Sequence, residues 1–562
     1  MVTLTPGIMG INPESFMSFS ILILQFSENR AVKCSTVVFL LFFRFSSGVM
    51  AVAFFLMGLL SMLPVGDGCF GRYSFGVLSR PTWEIYVVSD IDGICAWRIL
   101  KWSPIKKNCS CRTIRIRIRS RMSFSSTVVP TSIHKSDDDS AGESENEEKL
   151  SNPGAIEKRV EKRKWLRHRQ DILMDYESFS YFTVSSSIVL FDLAWRLSQE
   201  NNCLLWYAIV GQTSQLLTYS INREHYIDQL DYLQSHVSRL GHAVQTHSAT
   251  SVVEESKAKV EIAFEDDLAL WLYKHWSLKE TMETSMLTAS RFKLFTESGQ
   301  KRLLEFLVHI GLPRREYLQR YSTMSSAVKE NLNGLLIQHG EKYGLNRRDL
   351  FIPSFTVQLG YRTPISAMDA VLLTISALEY YMDASPGENF QHALDTLSCW
   401  SCDSLDSEIT RAQLHLTGLA SQVRNLLDTD EVVAFGPFLY CYIRRTSLVT
   451  VALCNPLSLS ILARYVLMAK AALRPKMGRE RRVAQMPLIL CVDSRTEENN
   501  ITLVGIPPLH GDDDRNLFGQ AFEAAVRKTK ARAEFRYFNS NCIELHREDM
   551  LKVFEALSAL LS

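Results

Sequence analysis

Hydrophobic and polar positions follow several rhythms along this chain, and each rhythm predicts a different kind of element. Ile85 to Val88 is a short apolar run, Ser89 to Gly93 a polar turn, and Ile94 to Trp102 a helical stretch that stops before Pro104. Together they predict a compact β–turn–α unit. Arg112 to Arg119 then alternates Arg with apolar residues at period two, the pattern of an exposed edge strand or of a basic tract without fixed structure. From Ile172 to about residue 390 the pattern is mostly helical. Leu268, Trp271, Leu272, His275 and Trp276 fall on one helical face, and Leu303, Phe306, Leu307 and Ile310 fall on another. Gly311 and Pro313 are predicted to stop the second helix.

The last part of the chain changes character. Val432–Ile443, Leu448–Leu453, Pro487–Val492 and Ile501–Ile506 read as strands. Phe518, Ala521, Phe522, Ala525 and Val526 line a helix, with Asp512 to Asp514 well placed before its N-terminus, and Met550, Phe554, Leu557 and Leu561 line a terminal one. A separate α/β domain is expected here.

Two charged stretches interrupt the pattern. Between residues 136 and 148 stand Asp137, Asp138, Asp139, Glu143, Glu145, Glu147 and Glu148 with almost nothing apolar, a composition expected to be disordered. Directly after it, Glu157 to Arg169 carries seven Lys or Arg residues on a helix-forming background. Such a segment is a solvated, ion-paired helix, a nuclear import signal or a contact for phosphate. A third departure is the uncharged stretch Phe45–Val65, which is long enough to span a bilayer and has Arg30, Lys33 and Arg44 on its N-terminal side. It is either a membrane anchor or an apolar leader foreign to the rest.

Composition narrows the class. The chain has 562 residues, with 62 Lys or Arg against 61 Asp or Glu, a net charge of +1. That length holds roughly three to four domains of about 150 residues. Near-neutrality excludes a protein that is basic throughout and coats DNA, and equally a wholly acidic disordered one. Twelve cysteines at irregular spacing are too few for a disulfide scaffold.

Candidate chemistry is sparse. Asp90 and Asp92 are one residue apart in the turn after an apolar strand, where α/β sheets place their ligands and where oxygen donors suit Mg²⁺ or Mn²⁺. Asp is also a common turn residue, and no second Asp/His cluster follows to complete a two-metal site. His275 is expected to be a satisfied core histidine rather than a ligand. Cys399 and Cys402 have CxxC spacing without a partner pair, and Cys109 and Cys111 are isolated. Gly505 to Pro508 reads as a turn rather than a phosphate cradle. There is no Walker loop, GxGxxG or GxSxG motif.

Several longer words carry more information: Leu205–Thr213, Leu233–Arg239, Tyr273–Leu278, Thr288–Phe295 with Gly299–Leu303, Gly436–Tyr440, Val504–Pro508 and Asn516–Phe522. In these words, and in the acidic tract followed by a basic helix, the chain resembles the cell division control protein 45 family of replication factors. The resemblance covers about Trp83 to Trp102 and then about residue 136 to the end.

It implies an α/β fold like that of RecJ-type DHH phosphoesterases, with an inserted helical module and a C-terminal α/β DHH-associated domain. On that reading residues 1–80 are an unmatched apolar region, and 81–135 a partial DHH domain whose sheet is cut short between Ser103 and Thr131. Residues 136–156 are an acidic linker, 157–225 the helical remainder of the DHH domain, 226–390 the helical partner module and 391–562 the DHH-associated domain. Asp90 and Asp92 stand at the superfamily's first metal motif and are implied to be vestigial, with no cofactor and no catalysis.

The implied role is in replication initiation and elongation, in the nucleus and away from any membrane. The protein would be a non-catalytic subunit of the helicase formed with the MCM ring and GINS, meeting polymerase and initiation factors at origins and holding single-stranded DNA. Lys293, Lys301 and Arg302 are candidate contacts. The competing reading is a metal-dependent single-strand exonuclease centred on Asp90 and Asp92.

Overall fold

The computed structural model describes residues 20–23, 39–45, 48–51, 83–102, 114–119, 163–165, 167–169, 182–248, 260–359, 363–379, 386–398, 402–444, 453, 455–473, 486–494, 499–509, 516–535 and 539–561. They divide into two compact units. The first comprises Met1–Ser120, Phe182–Asp430 and Thr446–Pro475, and the second Arg121–Tyr181, Glu431–Arg445 and Lys476–Ser562.

In the first unit, strands β1 (Ser20–Ile23), β2 (Phe39–Phe45) and β3 (Gly48–Ala51) form an antiparallel sheet. Strand β4 (Trp83–Val88) leads into helix α1 (Ile91–Trp102), as the apolar run and polar turn predict. Strand β5 (Ile114–Arg119) pairs in parallel with β4, so the Arg/Ile alternation is a strand. Helix α1 buries Ile91, Ile94, Cys95, Trp97 and Ile99. It packs on α2 (Ser186–Arg196) and α3 (Asn202–Leu217), and α4 (Arg223–Ser248) follows. Every residue of α3 from Leu204 to Ser214 is buried, which explains why its sequence lacks a polar face.

The middle of the chain is less uniformly helical than its pattern suggests. Strand β6 (Val260–Leu268) pairs antiparallel along its length with β7 (Phe351–Leu359), and β8 (Ile365–Ser366) adds an edge. Between β6 and β7 lie α5 (Leu278–Thr284), α6 (Met286–Phe292), α7 (Glu297–His309) and α8 (Ser326–Gly340). The predicted helical face from Leu268 to Trp276 is not a helix. Strand β6 ends at Leu268, Leu272 takes a left-handed backbone (φ 54°), and Tyr273–His275 is a single 3₁₀ turn. The core contacts that give Leu268, Trp271 and Leu272 their apolar character come instead from a folded corner. Helix α7 forms as predicted, and Gly311 closes its C-terminus at φ +81°.

Helices α9 (Ala367–Glu379), α10 (Pro386–Ser398), α11 (Cys402–Asp428) and α12 (Pro456–Leu473) complete this unit. Both α11 and α12 belong to it, although the sequence groups both with residues 391–562. Among the described residues α12 is the one helix long and apolar enough to cross a membrane, by length and composition only. Ten of its residues are buried within the unit, and the amine of its buried Lys470 meets Asp430. The apolar stretch 45–65 lies almost wholly outside the described residues.

The second unit is a six-stranded sheet in the order β13-β14-β12-β11-β10-β9. Its strands are β9 (Val433–Phe435), β10 (Phe438–Ile443), β11 (Leu488–Asp493), β12 (Asn500–Ile506), β13 (Ala533–Glu534) and β14 (Cys542–His546). Strands β10 and β11 run parallel and the other neighbours antiparallel. Helices α13 (Phe518–Thr529) and α14 (Met550–Leu561) bury Phe518, Phe522, Phe554 and Leu557 with Ile501, Leu503 and Ile543 of the sheet. The short strands β13 and β14 are the elements that the sequence pattern does not announce. The stretch 448–452, the tract 136–148 and Asp512–Asp514 lie outside the described residues.

Candidate functional site

The β4–α1 turn places Asp90 and Asp92 at the junction of two helix N-termini. Asp90 is the N-cap of α1: its Oδ1 accepts from the Gly93 amide at 2.6 Å and its carbonyl from Ile94 at 3.0 Å. Asp92 reaches across to α2. Its Oδ2 accepts from the Ser186 amide at 2.7 Å, and its Oδ1 from the Ser187 amide at 2.9 Å. Both oxygens of Asp92 therefore answer the positive end of a helix other than its own.

Neighbouring groups hold this arrangement. The Ser185 amide donates to Gln212 Oε1 at 3.0 Å, and Ser185 Oγ lies 2.9 Å from Ser187 Oγ. Gly211 on α3 makes the close approach possible, because a Cβ there would lie 2.0 Å from Ser187 Oγ and 2.9 Å from Asp92 Oδ1.

Burial, with the Asp92 charge next to it, raises the Asp90 carboxyl to about 6. Asp92 is also raised by burial, while its hydrogen bonds to Ser186 and Ser187 act in the opposite direction. Burial beside both carboxylates pushes the Cys95 thiol up, so Cys95 is an inert core thiol.

A divalent cation needs several further oxygen or nitrogen donors. Among the described residues there is no group of three or more His, Cys, Asp or Glu placed to hold one. A cation on Asp92 would also compete with two backbone amides. What the geometry does is fix two helices to each other: Asp90 caps α1, and Asp92 joins α1 to the start of α2.

The candidate basic residues stand on two elements, Lys293 at the end of α6 and Lys301 and Arg302 on α7. Lys293 is half-buried and ends α6 in a left-handed conformation (φ 59°). Its carbonyl accepts from the Thr296 amide at 3.0 Å and from Thr296 Oγ1 at 2.9 Å. Lys301 is exposed on α7, and Arg302 next to it is half-buried with its guanidinium 5.7 Å from the centre of the Tyr343 ring.

Two buried polar groups escape sequence reasoning. Glu379, at the end of α9, accepts from the Leu457 amide at 2.9 Å and from the Ser458 amide at 2.7 Å. Ser458 Oγ also donates to Glu379 and lies 2.9 Å from His415 Nε2. These are the residue types of a nucleophilic triad in the wrong order, since the hydroxyl proton goes to the carboxylate and not to the imidazole. All three are buried, and the group caps the N-terminus of α12. Burial lowers His415 to about 4 and raises Glu379 to about 7. A Pro at the first position of α12 and the polar Asn455 before it are the only local signals.

The second group surrounds Lys274. Its amine meets Glu265 Oε1 at 2.8 Å and Asp267 Oδ1 at 3.3 Å, and Tyr273 donates to Asp267 at 2.6 Å. Asp369, raised to about 7 chiefly by burial, accepts from the Leu272 amide at 2.9 Å and so holds that left-handed corner. His275 is half-buried and neutral, lowered to about 4 by burial, and its Nε2 has no partner among the described residues. It is a core histidine, as expected, but one nitrogen is unsatisfied.

The family model CDC45 matches residues 119–560. The chain belongs to the CDC45 family. It is 37% identical over 410 residues to the cell division control protein 45 homolog of Mus musculus, covering 72% of this chain and 70% of that one. To the homolog of Homo sapiens it is 36% identical over 407 residues, with the same shares. The crystal structure of CDC45 from Entamoeba histolytica superposes with a TM-score of 0.56 at 19% identity, over 85% of this chain and 95% of that one. That likeness shows the fold, a mixed and helix-rich α/β architecture. The match to the CDC45 model begins after the Asp90–Asp92 turn and takes in both the basic segment 157–169 and the whole C-terminal sheet.

Proposed function

We propose that this protein is a replication initiation and elongation factor, a non-catalytic subunit of the replicative helicase that acts in the nucleus with the MCM ring and GINS. The observation that carries the reading is the family match across residues 119–560. The engagement of Asp92 by two amides at the start of α2 accords with a structural role for that carboxylate.

On this reading β4 and α1 are the remnant of a RecJ-like DHH domain, Asp90 and Asp92 its vestigial metal motif, residues 226–390 the partner module and the C-terminal sheet the DHH-associated domain. The subunit braces the MCM ring, meets polymerase and initiation factors at origins, and holds single-stranded DNA on basic surface to which Lys293, Lys301 and Arg302 contribute.

Affinity capture of the tagged chain from S-phase nuclei tests this: MCM and GINS subunits are expected among the retained proteins. Recovery of the chain without either would overturn the reading. The purified chain is also expected to release no nucleotide from single-stranded DNA in Mn²⁺. Release that disappears in Asp92→Ala would establish the exonuclease reading instead.

A further inference from the structure

Helices α7 and α8 each bring a histidine to one point. His309 is the last residue of α7, and His339 stands one position before the end of α8. Their rings lie 4.9 Å apart, centre to centre, with planes at 86°. His309 is exposed and His339 half-buried. Among the described residues neither imidazole has a hydrogen bond or an ion pair, so no protein group claims their ring nitrogens. Tyr343 lies beside the pair, its ring centre 6.2 Å from that of His309, with the Arg302 guanidinium against it. That tyrosine is itself anchored on Phe306 at 4.9 Å and Phe292 at 5.9 Å.

The spacing suits a shared metal ion. A zinc–nitrogen bond of about 2.0–2.1 Å, with about 1.1 Å from nitrogen to ring centre, puts each ring centre about 3.2 Å from the ion. Two imidazoles at a tetrahedral angle then have centres about 5.2 Å apart, and at a right angle about 4.5 Å. The observed 4.9 Å lies between these limits. The rings meet edge to face, and the broad torsion about the Cβ–Cγ bond lets each turn a nitrogen toward a common point. The backbone favours a cation as well. Both histidines sit in the last turn of their helix, where the partial negative charge of the macrodipole is concentrated.

We propose that His309 and His339 together bind one Zn²⁺ or a similar divalent transition-metal ion, and that the ion clamps the end of α7 to the end of α8. Water fills the remaining positions, because no third His, Cys, Asp or Glu is gathered there among the described residues. Structural zinc sites are closed by four protein ligands, so an ion held by two is exchangeable and follows the metal supply. Cu²⁺ binds the same two nitrogens more tightly than Zn²⁺.

Zn²⁺ alone is the probe, added to the full chain after a chelator has stripped it of metal. Equilibrium dialysis gives the dissociation constant, and hydrogen exchange read by mass spectrometry locates the ion. At about ten times that constant, Zn²⁺ is expected to slow exchange about tenfold in the last turns of α7 and α8, the limit that mass action sets. His309→Gln and His339→Gln are each expected to abolish this slowing and to lower the bound metal by one equivalent. Exchange of both variants without metal, matched to that of the parent chain, confirms that they fold. Acidification to about pH 5 is expected to release the same equivalent, since the proton competes for the imidazole nitrogen. Slowing that persists in either variant would place the ion on other donors and overturn the proposal. No slowing at saturating Zn²⁺ would overturn it equally.

Discussion

Gly299 shows at the residue scale what the family words encode. A Cβ there would lie 2.0 Å from the Lys293 carbonyl, an atom that also closes the turn into α7. The word from Thr288 to Leu303 is therefore a packing solution built on a left-handed Lys293 and a side-chain-free neighbour. Gly505 plays the same part in another pair of words: a Cβ there would meet the Phe518 ring at 2.2 Å, and Asn516 donates to the Gly505 carbonyl at 3.1 Å. Gly505, expected in a turn, lies in β12. Gly299→Ala is expected to lower the denaturation midpoint, costing about 1–3 kcal/mol. Gly334→Ala, on α8 with nothing within 4 Å, is expected to raise stability by up to about 1 kcal/mol. Equal effects at the two positions would contradict the packing account. Asp92→Asn keeps one acceptor and loses the other, so a loss of about 1–2 kcal/mol is expected in urea titration, with Mn²⁺ leaving both proteins' stability unchanged. A stabilising effect of Mn²⁺ on the unsubstituted chain alone would restore a metal role to the turn.

Helices were legible in the sequence where one face was apolar and a stop signal followed, as in α7 with Gly311. The strand pair β6–β7 was not, because its partners are far apart in sequence and the exposed positions of β6 carry no regular alternation. The corner at Leu272 was misread for a related reason: helical spacing and a folded corner can bury the same residues. Asp90 and Asp92 could be singled out from their residue types, but their use was invisible, since Ser186 and Ser187 lie more than ninety positions away. Element joints of this kind titrate. Glu379 is raised to about 7 from an ordinary value of 4.5, so the folded protein keeps a proton that the unfolded chain releases. Its contribution to stability is complete below about 4.5 and declines as pH rises to about 7. Glu379→Gln is expected to make the fall in stability between those values shallower, as followed by urea midpoints across pH. A slope unchanged from the parent chain would show that Glu379 is ionised throughout in the fold.

For the whole molecule, the +1 net charge conceals opposed segments, an acidic tract and a basic one, and the structure exposes the described part of the latter. The long words gave the family and the mixed α/β class, which the matched region 119–560 and the likeness to the Entamoeba histolytica structure bear out. Residues 1–80 carry no such word, and the family match leaves them out. The most direct measurement is DNA synthesis in a nuclear replication extract depleted of its own CDC45 and supplied with this purified chain. Restored origin firing, with the Asp90→Asn/Asp92→Asn double variant restoring it as well once its folding is confirmed, is the predicted result. Failure of the chain in an extract that a vertebrate CDC45 rescues, or rescue abolished by that correctly folded variant, would contradict the account.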